Sequence, residues 1–284
     1  MRYINFCGSE AYALGAIMVE AKPLAEEVAA GKEAKKGYEL VKLGIKGLDE
    51  KIKGVLKSRS YLVSGETGTG KTLFSLGFLL HGALHGEPGI YVLVDEEYDD
   101  FVKGAYDFGW DLEYLIDNDM LSIMTILPDF IDRVKNKPVD TIVMSIVESI
   151  VEEARRIGAK RLVIDPVAPL VVNENDVAWM REYIRSLVIN IEKRVGTTNI
   201  ITSEIPTGST KLSRFGVEEF LAAGVFILGL ERVKDRFYRT LFVRKMRWRP
   251  VHPEIYVFKI VQGQGIVVGK TLSEVVRERS GGKE

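Results

Sequence analysis

The octapeptide GETGTGKT, residues 65–72, is the part of the chain whose residue types and spacing best fit a chemical task. It meets every fixed position of the pattern G-x-x-x-x-G-K-[ST], which forms a phosphate-binding loop between a strand and a helix. Glycines let the backbone curl until successive N–H groups face one concavity, and the helix N-terminus adds positive charge. We therefore predict phosphate binding by Gly65, Glu66, Thr67, Gly68, Thr69, Gly70, Lys71 and Thr72.

Two side chains outside the glycine framework fit a magnesium site. Lys71 would reach the β- and γ-phosphates of a nucleotide, and the Thr72 hydroxyl would bind Mg²⁺. The apolar run RLVID ends in Asp165, and a carboxylate at that strand end could accept from the water shell of the cation. Apolar strands also often end in Asp at a turn, but the phosphate loop favours the metal role for Asp165.

Three consecutive acids follow the next predicted strand, in the segment VDEEY. A carboxylate among Asp95, Glu96 and Glu97 could polarise the water that attacks a terminal phosphate. The alternative is an acidic helix start in solvent, since acids favour a helix N-terminus. The residue types alone leave open which of the three acids would be the base.

A second GKT, in GQGIVVGKT at residues 263–271, does not fit phosphate binding. Gln264 occupies the place of the first glycine of the pattern. The β-branched run IVV favours an extended strand rather than a curled loop. We predict a hairpin strand there.

The elements around these motifs alternate between strands and helices from residue 38 onward. Apolar strands at 61–65, 89–95, 121–127, 161–165 and 199–204 are separated by helical segments, which indicates a parallel sheet covered on both faces. After residue 222 the strands follow one another through short polar links. The predicted fold class is α/β, with a mainly parallel sheet, flanking helices and an antiparallel C-terminal extension.

The composition sets further limits on the chain. With 284 residues, 46% of them hydrophobic, it can bury one large core, and a net charge of −1 gives no global attraction to nucleic acid. One cysteine excludes an intrachain disulfide and fits a reducing, cytoplasmic location. The Ala-, Glu- and Lys-rich segment 23–36 predicts a helix in an N-terminal arm, residues 1–37. That helix is either solvated or docked on a neighbouring subunit.

The order of GETGTGKT, FGWDL, RLVID, GVEEF and RKMRW resembles the KaiC-type branch of the RecA superfamily of P-loop ATPases. Archaeal RadA paralogues are similar in layout. The resemblance covers about residues 38–269 and implies a RecA-like fold, with ATP and Mg²⁺ bound and ATP hydrolysed between subunits. The expected assembly is a homo-oligomer, a hexameric ring or a related helical form. The expected divisions are 1–37 as arm, 38–270 as ATPase domain and 271–284 as tail.

The resemblance also assigns roles to single residues. The family has two adjacent acids after this strand, and they align with Asp95 and Glu96 or with Glu96 and Glu97. Glu96 is in both alignments, so it is the expected general base. Members of the family often have K-x-R on a late strand, and its two cations contact the γ-phosphate bound by a neighbouring subunit. In this sequence the corresponding residues are Lys245 and Arg247.

The cation-rich strand LFVRKMRWRP has a second interpretation. Alternation along a strand places Lys245 and Arg247 together, on the face opposite Arg244. Exposed cations on an edge strand also discourage aggregation. We assign Arg244 and Arg249 to that surface role.

Several positions depart from the family pattern. Pro166 stands where a serine is common, and Ile205 stands where an arginine is common. The segment GVEEFLAAG contains no Ser or Thr where the clock proteins carry their phosphoacceptors, so autophosphorylation is not expected.

Two classes of function remain at this stage. The first is an oligomeric ATPase that acts on DNA or on a protein partner. Its DNA-facing loops would be 168–177, which is acidic, and 205–215, where Lys211 and Arg214 would give weak, salt-dependent binding. The second class is a nucleotide-switched scaffold with little turnover.

Overall fold

The computed structural model describes residues 38–94, 96–126, 137–170 and 176–280, and the described residues after Tyr38 belong to one compact unit. The predicted arm therefore lies outside the described part. The strands are β1 (Leu40–Val41), β2 (Val55–Leu56), β3 (Ser60–Gly65), β4 (Gly89–Leu93), β5 (Leu121–Thr125), β6 (Arg161–Asp165), β7 (Thr198–Glu204), β8 (Gly224–Val233), β9 (Arg236–Met246), β10 (Ile255–Val261) and β11 (Gly265–Thr271).

The helices alternate with the parallel strands, as the sequence predicts. They are α1 (Asp49–Ile52), α2 (Lys71–Leu84), α3 (Tyr98–Asp107), α4 (Leu112–Asp117), α5 (Val139–Ile157), α6 (Val177–Asn190), α7 (Glu218–Leu221) and α8 (Leu272–Arg279). A 3₁₀ turn spans Ala168–Leu170, and a π-helical turn over Ile191–Val195 continues α6. Within the ranges described, no helix is both long and apolar enough to cross a membrane.

Nine strands form one sheet in the order β11-β10-β9-β8-β3-β7-β6-β4-β5. The strands from β8 to β5 in that order pair in parallel, and β9, β10 and β11 extend the sheet in antiparallel fashion. This confirms the predicted α/β class with its antiparallel extension. The register aligns Gly65 with Glu204 and Leu93 with Asp165, so four strands end at one edge.

Each face of the parallel sheet packs against its own helical layer. On one face Tyr91 joins Phe74 and Phe78 of α2 in a buried cluster. On the other face Ile90 and Val92 pack with residues of α5 and α6. Neighbouring residues of β4 thus enter opposite cores, because side chains alternate along a strand. A strand buried on both faces must be apolar throughout, which explains the continuous apolar runs.

The second GKT lies in a β-hairpin, as predicted. β10 and β11 pair in antiparallel fashion, and Ile266 and Val268 point into the core. The turn of this hairpin docks on the segment 107–110, where Gly263 N donates to Phe108 O at 2.7 Å. Trp110 Nε1 in turn donates to Gly263 O at 3.0 Å. The FGW segment therefore fixes the hairpin beside the phosphate loop.

Most of the predicted tail is helical. Thr271 and Glu274 form a capping box at the start of α8, and this helix contacts β10 and β11. The tail therefore continues the domain surface up to Arg279.

Arg161, at the start of β6, provides a test of the core. Its side chain is 2% exposed, donates to Phe78 O at 2.7 Å and pairs with Glu87 at 2.6 Å. Arg161→Ala is expected to lower the free energy of unfolding by about 3 kcal/mol, because it leaves a carboxylate and a carbonyl without their buried donor. Urea unfolding measures this value. Arg156→Ala, at an exposed ion pair with Asp119, is the control and should change the free energy of unfolding far less, because solvent screens exposed ion pairs.

Candidate nucleotide site

The loop between β3 and α2 has a backbone that requires glycine. Gly68 and Gly70 have φ angles of 78° and 105°, in the left-handed region that other residues rarely adopt. A Cβ on Gly65 would lie 2.4 Å from Leu228 O, because β8 passes directly beside the start of the loop. Thr69 Oγ1 donates to Glu66 O at 2.7 Å and closes the curve. The motif therefore folds into the predicted phosphate cradle.

Lys71 lies over this cradle and is 9% exposed. Its Nζ donates to the Gly65 and Glu66 carbonyls at 3.0 and 3.1 Å, and Glu204 lies 3.9 Å away. Burial lowers the pKa of Lys71, while Glu204 and Asp165 raise it. A buried ammonium whose hydrogen bonds go to neutral carbonyls is placed to receive an anionic ligand.

Asp165 is held by hydroxyl groups from three elements. Thr72 Oγ1 donates to Asp165 Oδ2 at 3.0 Å, and the hydroxyls of Tyr91 and Thr202 also donate to this carboxylate. Burial raises the pKa of Tyr91, and the adjacent Asp165 raises it further. The carboxylate is thereby fixed at the end of β6, next to the threonine of the phosphate loop.

The Thr72 hydroxyl and the Asp165 carboxylate are oxygen ligands of the type that Mg²⁺ prefers. Among the described residues, no group of three or more His, Cys, Asp or Glu side chains could hold a metal. Mg²⁺ in phosphate-binding sites commonly takes only one or two protein ligands and completes its shell with phosphate and water. The pair therefore fits a magnesium–nucleotide complex.

Of the three candidate bases, Glu96 lines the cleft. Asp95 lies outside the described residues. Glu97 occupies the N-cap of α3, where its backbone carbonyl accepts from Phe101 N at 3.0 Å. The side chain of Glu96 is exposed at the mouth, where water reaches it.

The cleft has a volume of about 490 Å³ and opens above the phosphate loop. Carboxylates line it beside the lysine, and Leu73, Leu93 and Ile260 supply apolar wall. Among the described residues, the lining consists of Thr67, Gly68, Gly70, Lys71, Thr72, Leu73, Leu93, Glu96, Asp165, Pro166, Glu204 and Ile260.

Lys245 and Arg247 lie together as predicted, but β9 ends at Met246 and Arg247 lies in the following turn, so alternation along the strand is not the reason. Lys245 Nζ donates to Glu219 O at 2.8 Å, and Arg247 Nη2 donates to Phe220 O at 2.7 Å. Both cations thus bind the carbonyl end of α7. Burial lowers the pKa of Lys245, and the neighbouring Arg247 lowers it further.

These two cations are remote from the phosphate loop of their own chain. Across the sheet, Lys245 of β9 pairs with Val225 of β8, and Val225 pairs with Leu62 of β3. The phosphate loop starts at Gly65, three residues further along β3 than Leu62. That separation is roughly 10 Å along the strand direction. The cations therefore face a surface other than their own cleft.

The surface role predicted for the other two arginines holds in part. β9 pairs with β10 over residues 239–242, so the prediction of an edge strand is wrong there, whereas the last residues of β9, 243–246, pair with β8 alone among the described strands. Arg249 is half-buried and donates to Ile52 O at 3.0 Å, so it stabilises the packing of α1. Arg244 is exposed and is the extra residue of a register shift between β8 and β9.

Tyr91 and Glu204 belong to the site, although no sequence motif identifies them. Thr202, in β7, also donates to Asp165. Glu204 ends β7, next to the loop strand, and accepts from Thr67 Oγ1 at 3.2 Å. The rule that identified Asp165, a carboxylate at a strand end beside the loop, could also have identified Glu204. Tyr91 sits inside an apolar run and gave no comparable signal.

The loop 205–215 is tied to the domain through Ser213 and Glu218. Ser213 Oγ donates to Glu218 Oε2 at 2.7 Å, and Arg214 N donates to Ser203 Oγ at 2.9 Å. Lys211 is exposed on this loop. Of the other predicted DNA-facing loop, residues 171–175 lie outside the described part.

The position of Glu96 predicts a pH effect on catalysis. Although Glu96 is largely exposed, the partial desolvation of its carboxylate raises its pKa, and the carboxylates of Asp165 and Asp100 raise it further. A general base must be deprotonated, so turnover should fall with decreasing pH at a higher pH than for an ordinary glutamate near 4.3. A kcat profile from pH 4.5 to 8 measures this acid limb. Glu97→Gln should keep the same fall of kcat at low pH. An unchanged fall in Glu96→Gln would exclude Glu96 as the group responsible.

Comparison with known proteins agrees with this geometry. The family model described as "ATPase: KaiC" matches residues 41–273. The circadian clock oscillator protein KaiC of Prochlorococcus marinus is 34% identical over 218 residues, which are 76% of this chain and 42% of that protein. The protein of the same name from Synechococcus elongatus is 35% identical over 205 residues, or 72% of this chain and 39% of that one. This chain therefore spans well under half the length of those relatives.

A solved structure is also similar. The KaiC-like protein of Pyrococcus horikoshii OT3 superposes with a TM-score of 0.70 at 34% sequence identity. The match covers 82% of this chain and 100% of that one.

Proposed function

Because this chain belongs to the KaiC family of ATPases, we propose that it hydrolyses ATP at interfaces between copies of itself. The observation that carries the proposal is the buried Lys71 ammonium over the glycine cradle, beside the joined Thr72 and Asp165 side chains. These groups lie within one cleft of about 490 Å³. The family and the geometry thus support the same substrate class, a magnesium–nucleoside triphosphate complex.

Each residue of the cleft has its own role in the proposed reaction. The loop N–H groups bind phosphate oxygens, and Lys71 exchanges its carbonyl contacts for the β- and γ-phosphates. Thr72 and Asp165 would hold Mg²⁺, and the bound cation would supply positive charge against the phosphates. Glu96 accepts the proton of the attacking water. Tyr91 and Thr202 keep the Asp165 carboxylate in one orientation through their hydrogen bonds.

Lys245 and Arg247 complete the site of a neighbouring copy. A cation near the transferred phosphoryl group stabilises the charge of the transition state. The pair is offset by roughly 10 Å along the strand direction from the loop of its own chain and binds the carbonyls of α7, which supports a role toward another copy. Phe220 and Trp248 flank the pair and are 66% and 81% exposed, as expected for a surface that a subunit covers.

The proposed assembly is a ring or a related helical form. A contact that joins the cleft of one copy to the Lys245–Arg247 surface of the next is heterologous, and such contacts generate closed rings or open filaments. The hexamer is the expected ring. Sizing the protein with ATP, with ADP and without nucleotide tests this assembly.

Mg²⁺-dependent ATP turnover is the experiment that tests the proposed function. Turnover should require Mg²⁺ and should survive in Lys103→Ala, an exposed lysine outside the cleft. ATP-dependent assembly without turnover would instead favour the nucleotide-switched scaffold.

The contact of the 205–215 loop with DNA remains a prediction, as does a cytoplasmic location. Lys211 gives one exposed cation per copy on this loop, so binding should be weak and should fall steeply with salt. ATP turnover with and without single-stranded DNA, at two salt concentrations, measures the effect. A Lys211→Ala variant should lose any stimulation of ATP turnover by DNA if this loop makes the contact.

A further inference from the structure

Glu218 is a buried carboxylate outside the cleft, at the first position of α7. It is 3% exposed and lies within hydrogen-bond distance of four donors, one of which, the Ser213 hydroxyl, it shares with the Glu219 carboxylate. Its Oε1 accepts from Ser203 Oγ at 2.9 Å and from Phe215 N at 3.4 Å. Its Oε2 accepts from Ser213 Oγ at 2.7 Å and from Val217 N at 3.1 Å. A carboxylate buried this deeply persists only when such donors replace its water.

These four donors come from two places in the chain. Ser203 belongs to β7, one residue before Glu204, which contacts the phosphate loop. Ser213, Phe215 and Val217 belong to the segment that leads into α7. Glu218 therefore ties the start of a single-turn helix to the strand beside the nucleotide cleft.

The other end of α7 holds the two cations. The carbonyls of Glu219 and Phe220 accept from Lys245 and Arg247, and Arg247 N donates to Ala223 O at 2.8 Å. Carbonyls at a helix C-terminus are good acceptors for cations, because they lack partners inside the helix. A rotation or shift of α7 would thus move both cations.

We propose that Glu218 is a positioning residue that, through α7, orients Lys245 and Arg247 toward the neighbouring copy. This inference rests on the proposed function, since it assumes that the cations act between subunits. A helix of only four residues has little internal hydrogen bonding to fix its direction, so the buried carboxylate supplies the restraint. Phosphoryl transfer depends on positioning, and a displacement of about 1 Å can cost 10²-fold in rate.

Glu218→Gln is the variant that tests the restraint. Each of the two carboxylate oxygens of Glu218 accepts from a backbone N–H. In the glutamine variant an NH₂ group replaces one of these oxygens, and it cannot accept. Serine hydroxyls can rotate, but a backbone N–H cannot, so at least one donor loses its acceptor. We expect kcat to fall by about 10²-fold with KM for ATP unchanged, because the variant's own cleft is intact.

Mixed assemblies locate the defect. Glu218→Gln is mixed with Glu96→Gln, which has an intact α7 and an inactive cleft, and turnover is compared with that of the unmixed variants. The parallel arm mixes Arg247→Ala with Glu96→Gln. A gain in both arms supports the positioning role, because the Glu218→Gln cleft then works with cations from its neighbour.

A gain in the Arg247 arm alone would overturn the role of Glu218 and leave the proposed function intact. No gain in either arm would overturn both. Circular dichroism and thermal melting show whether Glu218→Gln is folded. If Glu218→Gln is not folded, Ser203→Ala and Ser213→Ala replace it in the experiment, since each removes one hydroxyl donor to Glu218. Glu152→Gln is the control, since Glu152 is exposed on α5 and lies outside this hydrogen-bond network, and it should keep turnover near that of the wild type.

Discussion

Arg247→Ala should lower ATP turnover by about 10³-fold while ATP still binds, because an arginine supplied to a phosphoryl transition state contributes about 10³ to 10⁵ in kcat. The cleft is unchanged in this variant, since Arg247 contacts Phe220 O and lies far from Lys71. Binding is measured with a fluorescent ATP analogue, and turnover by phosphate release.

Arg244→Ala is the matched control for that variant. Arg244 is exposed on β9, three residues before Arg247 in the following turn, and occupies the extra position of the register shift. Its turnover should stay near that of the wild type. An equal loss of turnover in both variants would indicate a general effect of charge on the assembly rather than a specific contact of Arg247 with the neighbour's phosphate.

Glu96→Gln should lower kcat by about 10²- to 10⁴-fold, the range for removal of a general base, and should spare ATP affinity. Lys71→Ala should weaken ATP binding itself, because the buried ammonium over the cradle is lost. The two variants therefore separate chemistry from binding. Single-turnover kinetics and equilibrium binding on the same preparations provide the measurement.

Glu97→Gln serves as the control for the base. Glu97 caps α3 and does not line the cleft, so its turnover should change little. A full loss in Glu97→Gln together with an active Glu96→Gln would transfer the role to Glu97.

The phosphate loop could be predicted from the sequence because its contacts are local. Lys71 reaches Gly65 and Glu66, and Thr69 reaches Glu66, all within an octapeptide. Asp165 could be predicted because a parallel sheet brings its strand ends to one edge, whatever the order of the strands.

The hydrogen bonds of Asp165 and Glu218 could not be predicted in the same way. Tyr91 and Thr202 reach Asp165 only because β6 lies between β4 and β7, and the strand order is a property of the whole fold. Glu218 appears in GVEEF as an ordinary acid at a helix start. Its burial follows from the approach of Ser203, which is 15 residues away in sequence.

The cation-rich segment shows how an expected juxtaposition can have another physical cause. Lys245 and Arg247 lie together because both bind carbonyls of α7, since the strand itself ends at Met246. The sequence did not indicate that β10 would pair with part of β9, or that Arg249 would bind Ile52 O. Pairing beyond the strand depends on residues far along the chain.

Mixing Arg247→Ala with Glu96→Gln tests most directly the claim that two copies build each active site. Each variant alone should be nearly inactive. In a randomly mixed one-to-one ring, roughly a quarter of the interfaces join an intact cleft to an intact Arg247, so turnover should approach about a quarter of the wild-type rate. Turnover that stays at the level of the unmixed variants, in assemblies verified to contain both, would contradict hydrolysis between subunits.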